Sequence, residues 1–385
     1  MGSDQTSRAL LIRNNKSELI VYIPSTLWPT AERVRDEFKV RTTLEAGDLN
    51  EFELLVVFLR HSLAYISMSS GSFPIRGFVK LLFITLHVKY LGRCDPHTCV
   101  EEKVQSMDVK EILSAYYQAL DELQQGGSLG EEYRPVKSAL LGNEVSCGRA
   151  KILAIFGGQG NTENLIEELV ELDQVYRPLC RDFMLEVTQG LSEAATDPAS
   201  KEYMSTGFDL VNWVDNIESR PPKEYLFTAA VSLPLVGLIQ LMNYYITCRI
   251  LNITPGELRS RFVGVTGHSQ GIVAAAVVSL SSTEAELRVN TCKALLSLFW
   301  VGLRAQQVYP ETTLSPTILA DSLAHGEGRP TPMLAVFNLT LSVLQAQVDI
   351  SNKFLAVDQK IEIALHNGTR AFVCSGPPKS LYGLN

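Results

Sequence analysis

Several signals that would assign this chain quickly are missing from it. Its seven cysteines, Cys94, Cys99, Cys147, Cys180, Cys248, Cys292 and Cys374, are odd in number, widely spread and without a CxxC pair. That pattern argues against a disulfide framework and a zinc site, and points to a reducing compartment. No run of Lys and Arg offsets the excess of 42 acidic over 34 basic residues, so the electrostatic footprint of a nucleic-acid or anionic-membrane binder is absent. No uninterrupted apolar stretch of membrane length occurs. The most apolar one, Val231 to Ile253, carries Pro234, Asn243 and Arg249 and reads as a buried helix. The first 20 residues hold only a short apolar stretch broken by Arg13 and polar residues, without a signal-peptide core. The expected location is the cytoplasm. There is no internal repeat and no low-complexity tract.

What is present suits a folded chain of two or three domains: 385 residues, 46% hydrophobic and 20% charged. Residues 8–23 predict a hairpin, with Asn14-Asn15-Lys16-Ser17 as its turn and ELIVYI as its second strand. EFELLVVFLRHSLAYI, FVKLLFITLHVKYL and VKEILSAYYQALDELQ then repeat apolar residues at spacings of three and four, which predicts helices. The Gly-containing polar stretches GGSLGEEYRP and LLGNEVSCGRA mark a boundary near 130–150. The division expected is a mostly helical domain over 1–148 and a second domain over 149–385.

The second domain opens with AKILAIFGGQG, an apolar run ending in glycines, which reads as a buried strand entering a tight loop. Further on, LRSRFVGVTGHSQGIVAAAVVSL reads as strand, Gly-flanked turn and buried helix. Thr283-x-x-Glu286 then forms a capping box for a long helix. From about 332 the chain reads β-α-β-β-α: PMLAVFNL, LSVLQAQVDISNKF, KIEIALHN, RAFVCSG and a helix started by PPKSLYGLN. A ferredoxin-like unit needs one more strand, so this subdomain reads as incomplete, as in a truncated chain.

Gly267-His268-Ser269-Gln270-Gly271 fits G-x-S-x-G, the turn that exposes a serine hydroxyl between a strand and a helix N-terminus. The helix dipole and free N–H groups there favour the oxyanion formed when serine attacks an acyl carbonyl, with the N–H of Gln270 as one donor. Gly157-Gly158-Gln159-Gly160 is the candidate for the second donor, through a backbone N–H or the Gln159 amide. The other readings of that loop are a tight turn or a dinucleotide phosphate loop, but Gln159 and Thr162 break G-x-G-x-x-G.

AKILAIFGGQGNT, YLFTAAVSLPLVGLIQL, ITPGELRSRFVGVTGHSQGIVAAA, LFWVGLRAQQVYP, EGRPTPML and FVCSGPPKSLYGLN together resemble the N-terminal acyltransferase (starter transacylase) region of the β subunit of fungal type I fatty acid synthase. The segments before Ala150, including VKEILSAYYQAL, are more loosely similar to that subunit's N-terminal domain. The resemblance implies an α/β fold: a mostly helical N-terminal domain, then a malonyl/acetyl-transferase-like domain of α/β-hydrolase type with its ferredoxin-like subdomain. It also implies a ping-pong transfer of an acyl group from coenzyme A to the serine and on to the phosphopantetheine thiol of acyl carrier protein. Coenzyme A would be a substrate; no cofactor and no metal would be held. The remaining partner implied is the rest of the synthase complex, with its α subunit.

By match to the family's motifs, Ser269 is the nucleophile and Gln159 and the backbone of Gln270 form the oxyanion hole. His268 matches too and is read as a wall or hydrogen-bonding residue, because neighbours on a strained turn point apart. The family's base histidine lies in a Pro-Phe-His-Ser-like segment that this sequence does not contain. The histidines after Ser269 are His325, read as a solvated loop residue, and His366, read as a packed strand residue. Malonyl-transferring relatives carry an arginine about 25 residues after the serine, where this chain has Ala294, so a neutral acyl group is expected. Arg304 either pairs structurally or contacts substrate, and Asn367, in the family's Asn-Gly turn, either lines the pocket or makes the turn. Two other functions stay open on the sequence. One is an α/β-hydrolase or thioesterase, which shares the elbow but needs a downstream acid and histidine. The other is an inactive scaffold fragment that lacks the catalytic histidine.

Overall fold

The computed structural model describes residues 7–42, 49–68, 73–92, 96–125, 144–145, 147–160, 164–308 and 314–384. The chain divides into two compact units, Met1–Trp300 and Val301–Asn385. The sequence boundary placed near 130–150 falls largely outside the described residues, with all of GGSLGEEYRP and part of LLGNEVSCGRA.

The first unit opens with strands β1 (Ser7–Arg13) and β2 (Glu18–Pro24) in an antiparallel hairpin, Leu10 opposite Val21 and Ile12 opposite Leu19. Alternate residues point inward, so Leu10, Ile12, Leu19, Val21 and Ile23 are buried. They meet helices α1 (Trp28–Thr42), α2 (Glu51–Met68), α3 (Phe73–Leu86), α4 (Pro96–Lys103) and α5 (Val109–Gln125). Spacings of three and four put Leu55, Phe58, Leu59 of α2 and Ile112, Tyr116, Leu120 of α5 into one core.

One carboxylate ties this core's loops together. Glu53, with no exposed surface, forms a reciprocal cap with Asn50: the Asn50 N–H donates to Glu53 Oε2 at 2.9 Å and the Glu53 N–H to Asn50 Oδ1 at 3.0 Å. Its other oxygen accepts from the N–H groups of Gln105, Ser106 and Met107 at 2.9, 2.6 and 2.9 Å, fixing the entry to α5. Burial alone would raise this carboxyl. The N–H groups of Ser106, Asn50, Gln105 and Met107 together outweigh it and hold the acid below its ordinary range.

Next come β3 (Ile152–Phe156), α6 (Leu165–Ala195), α7 (Leu210–Asp215), α8 (Lys223–Leu226), α9 (Ala229–Leu251) and α10 (Pro255–Arg259). The unit continues with β4 (Phe262–Gly267), α11 (Gly271–Leu280) and α12 (Glu284–Val308), the last running into the second unit. Helix α6 leaves helical geometry at Tyr176, two residues before Pro178, which cannot donate the backbone bond and forces the kink. The kink region joins the helical N-terminal part to the rest of the unit. Val175 and Tyr176 enter the N-terminal core, His97 Nε2 and the Tyr176 hydroxyl share a 3.0 Å hydrogen bond, and Ser114 Oγ donates to the Gln174 carbonyl at 2.9 Å. Helix α9 is long and apolar enough to cross a membrane, but 78% of its apolar window is buried within the protein, as read from its polar interruptions.

The parallel pair β3 and β4 runs in register from Leu153 opposite Gly264 to Phe156 opposite Gly267. Two sequence expectations are corrected here. Strand β3 is not buried on both faces, because Leu153 and Ile155 are 49% and 66% exposed. Helix α11 is likewise half covered, with Ile272 at 63% and Leu280 at 72%. Among the described residues β3 and β4 pair only with each other and pack on α11 and its neighbours from one side, whereas a parallel sheet is ordinarily covered on both.

The second unit holds α13 (Pro316–Ala324), β5 (Met333–Phe337), α14 (Leu341–Asn352), β6 (Glu362–Gly368), β7 (Ala371–Ser375) and α15 (Pro378–Leu384). Its strands are antiparallel in the order β5-β7-β6, around a small core of Leu344, Val348, Ile361, Phe372, Cys374 and Leu381.

Candidate functional site

Because Phe156 is level with Gly267 across the parallel pair, the loop after β3 and the turn after β4 leave the sheet side by side. This is the carboxyl end of a parallel sheet, where ligands of open α/β folds bind. The His268 N–H donates to the Phe156 carbonyl at 2.9 Å, carrying the pairing one residue past the strand. The chain then reverses into α11. The Gly271 N–H donates to the His268 carbonyl at 2.9 Å, and Ser269 between them adopts φ +52°. A non-glycine residue with positive φ is strained, and here the strain holds an exposed serine at a helix N-terminus.

The two outer glycines of the motif follow from the tightness of this reversal. A Cβ on Gly271 would lie 2.2 Å from the Phe156 carbonyl oxygen, and one on Gly267 would lie 2.3 Å from the backbone of Gly271. Both neighbours are main chain and cannot step aside. The far end of α11 is fixed by Arg259, whose Nη1 donates to the carbonyls of Val278, Ser279 and Ser281 at 3.1, 2.8 and 2.9 Å. A cation on the last carbonyls of a helix complements its dipole.

Among the described residues the backbone N–H of Gln270 makes no hydrogen bond, nor do those of Gly158 and Gln159. The loop 157–160 is held from α9: Gln159 Nε2 donates to Ser232 Oγ at 2.7 Å and Gln240 Nε2 donates to the Gly157 carbonyl at 2.7 Å. The Gln270 side chain reaches the same helix, donating to the Leu233 carbonyl at 3.4 Å. Ser269, Gln159, Gln270, Gly267, His268 and Gly271 therefore lie together. Sequence reasoning missed Ser232 and Gln240. The signal was two polar residues in the apolar run AAVSLPLVGLIQL, where a buried polar side chain needs a partner.

The other residues singled out stand on other elements. Ala294 is buried on α12. Arg304 is exposed on the part of α12 that belongs to the second unit and bonds Gln307 on the same helix. His325 is a helix-end residue at the surface; its Nδ1 meets the Asp321 carbonyl at 2.8 Å, and that carbonyl and the Asp321 carboxylate raise its pKa. His366 stands on β6 opposite Phe372, its ring edge-on to that core residue at 5.4 Å, but it is exposed rather than enclosed. Asn367 falls at a bulge between His366 and Gly368, ahead of the turn at Thr369 and Arg370. Among the described residues no group of three His, Cys, Asp or Glu is arranged to hold a metal ion.

Comparison with known proteins assigns both parts of the chain. Residues 154–384 match the family described as "Starter unit:ACP transacylase in aflatoxin biosynthesis". Residues 6–123 match the "N-terminal domain in fatty acid synthase subunit beta". The chain is 37% identical over 391 residues to the fatty acid synthase subunit beta of Schizosaccharomyces pombe, covering 99% of this chain and 18% of that one. It is 42% identical over 249 residues to that of Saccharomyces cerevisiae, covering 64% and 12%. Against the fatty acid synthase beta subunit TOXC of Cochliobolus carbonum the identity is 34% over 307 residues, covering 80% and 14%. The chain thus spans less than a fifth of the length of each of these relatives.

Proposed function

Since this chain belongs to the starter unit:ACP transacylase family and represents the N-terminal region of a fungal fatty acid synthase β subunit, we propose that it moves a neutral starter acyl group, acetyl or a short chain, through Ser269. The donor is acyl-coenzyme A and the acceptor is the phosphopantetheine thiol of acyl carrier protein. Both are substrates, and no cofactor is held. The observation that carries this reading is Ser269 itself, an exposed hydroxyl at φ +52° between a parallel strand and a helix N-terminus.

In the first half-reaction Ser269 Oγ attacks the thioester carbonyl. The new C–O bond replaces the C–S bond, and the serine proton ends on the departing coenzyme A sulfur. The second half-reaction reverses this with the pantetheine thiol, which returns a proton to Ser269 as it takes the acyl group. The oxygen charge that develops in each step faces the unbonded N–H of Gln270 and the Gln159 loop, where a single preorganised donor is worth about 100- to 1,000-fold in rate. Ala294, where malonyl-transferring relatives carry arginine, leaves no cation for a second carboxylate and supports a neutral acyl group.

The fold assignment proposed with this function is an α/β-hydrolase-type core from about 149, carrying a ferredoxin-like subdomain. The strand order β5-β7-β6 supports the latter. The partners proposed are acyl carrier protein and the synthase α subunit, in the cytoplasm. Arg304 and Asn367 remain proposed pocket residues. The test is to acylate the protein, remove excess donor and add pantetheine. Transfer predicts acyl-pantetheine thioester, with acetyl- and hexanoyl-coenzyme A as donors and malonyl-coenzyme A inert. Loss of the acyl group to water with no thioester formed would overturn the transferase in favour of a hydrolase.

A further inference from the structure

Three buried hydroxyls, those of Ser62, Thr188 and Ser281, each donate to the carbonyl four residues back, at 2.7 Å. Ser232 on α9 receives a hydrogen bond from the loop beside Ser269. It has no exposed surface, and its Oγ accepts from Gln159 Nε2 at 2.7 Å. Gln159 is exposed apart from that contact and sits in a loop rich in glycine, so without the bond its side chain would sample several rotamers. Two turns further along the same helix, Gln240 fixes the other end of the loop at the Gly157 carbonyl. The residue between them, Gly158, lies against Ser269, a Cβ at that position falling 2.8 Å from the serine Cβ.

We propose that Ser232 is a positioning residue for acyl transfer: it acts through Gln159, holding that side chain and its backbone N–H where the oxyanion forms beside Ser269. This rests on the reading of Ser269 as nucleophile. The serine hydroxyl supplies an acceptor at a fixed depth in a packed helix, so the loop's aim is set by the rigid α9 and not by the loop itself. Misplacement of a reacting group by about 1 Å costs on the order of 100-fold, and loss of one oxyanion donor costs a similar or larger factor.

The test is a double-mutant cycle on the rate of Ser269 acylation in single turnovers with acetyl-coenzyme A, comparing Ser232→Ala, Gln159→Ala and the double variant. Ser232→Ala removes one atom, and thermal unfolding of each variant checks that the fold is retained. The proposal predicts a fall of roughly 10- to 100-fold for Ser232→Ala with the half-saturating donor concentration little changed. In the Gln159→Ala background Ser232→Ala should add less than about 2-fold, because the two act as a unit. Ser232→Thr, which keeps the oxygen, should recover most of the rate. Independent, multiplying effects of the two substitutions, or a wild-type rate in Ser232→Ala, would overturn the proposal while Ser269 stands. Absence of acylation in the wild-type protein itself would instead remove the reading on which it rests.

Discussion

Gly158 and Ser269 approach so closely that no side chain fits between them: a Cβ on Gly158 would lie 2.8 Å from Ser269 Cβ, 3.1 Å from His268 Nδ1 and 3.2 Å from the His268 carbonyl oxygen. Two loops from different strands are thus in van der Waals contact at the nucleophile. Gly158→Ala should push them apart. Acylation of Ser269 is expected to fall by about 100-fold or more, while thermal unfolding shifts by only a few degrees, because the strain falls on an exposed loop tip. Acylation near the wild-type rate would show that the loop does not contribute to the site.

Gly271→Ala should behave differently. Its Cβ would lie 2.2 Å from the Phe156 carbonyl oxygen and 2.4 Å from that of Gly157, both main chain, in the junction that joins sheet to helix. Overpacking there is expected to destabilise the protein by about 3 kcal/mol or more. Denaturant unfolding reads this directly, and an unchanged midpoint would contradict the junction as described.

The elbow was the most legible part of the site in the sequence. G-x-S-x-G states its own geometry, because the glycines are required by main-chain contacts that any such turn makes. The hairpin and the helices α3 and α5 were equally readable, since each buries one face on its own; α2 was readable from its apolar spacing, although its residues 52–56 are buried on every side. The clamp from α9 was not readable: Ser232 and Gln240 are far from Gln159 in sequence, and their role exists only once the helix lies across the loop. The exposed faces of β3 and α11 were misread for a related reason. An apolar strand does not state whether anything covers its second face, and Leu153 and Ile155 face outward.

Glu53 should matter as much to stability as any apolar residue of the N-terminal core. Its carboxylate satisfies the N–H groups of Asn50, Gln105, Ser106 and Met107. Glu53→Ala leaves all four N–H groups without that acceptor, two of them on exposed residues that water can reach, at a cost of about 2 kcal/mol or more. Denaturant unfolding should show a lower midpoint, with Glu53→Gln intermediate because the amide oxygen still accepts. A midpoint within error of wild type for the alanine variant would refute the clamp.

Acid should weaken the fold in two separable steps. Burial lowers His87, which shares a 3.2 Å hydrogen bond with the Tyr116 hydroxyl, from 6.5 to about 4. The unfolded chain therefore binds a proton that the folded chain refuses, and stability falls as pH drops from about 6.5 towards 4 and is flat in this group below that. Glu53 works at lower pH: its depressed acid stabilises the fold above the ordinary carboxylate value of about 4.3, and that stability is lost as pH falls through its lower folded value. Unfolding midpoints measured from pH 7 to 4 should thus decline less steeply in His87→Phe than in wild type. Parallel curves would show that His87 is not buried in its neutral form.

The central claim is that Ser269 forms an acyl ester, and intact-mass spectrometry tests it most directly. After incubation with acetyl-coenzyme A the wild-type chain should gain a single acetyl group, mapped by peptide analysis to the segment containing Ser269, and Ser269→Ala should gain none. A folded wild-type protein that stays unmodified, or an adduct that persists in Ser269→Ala, would contradict the account.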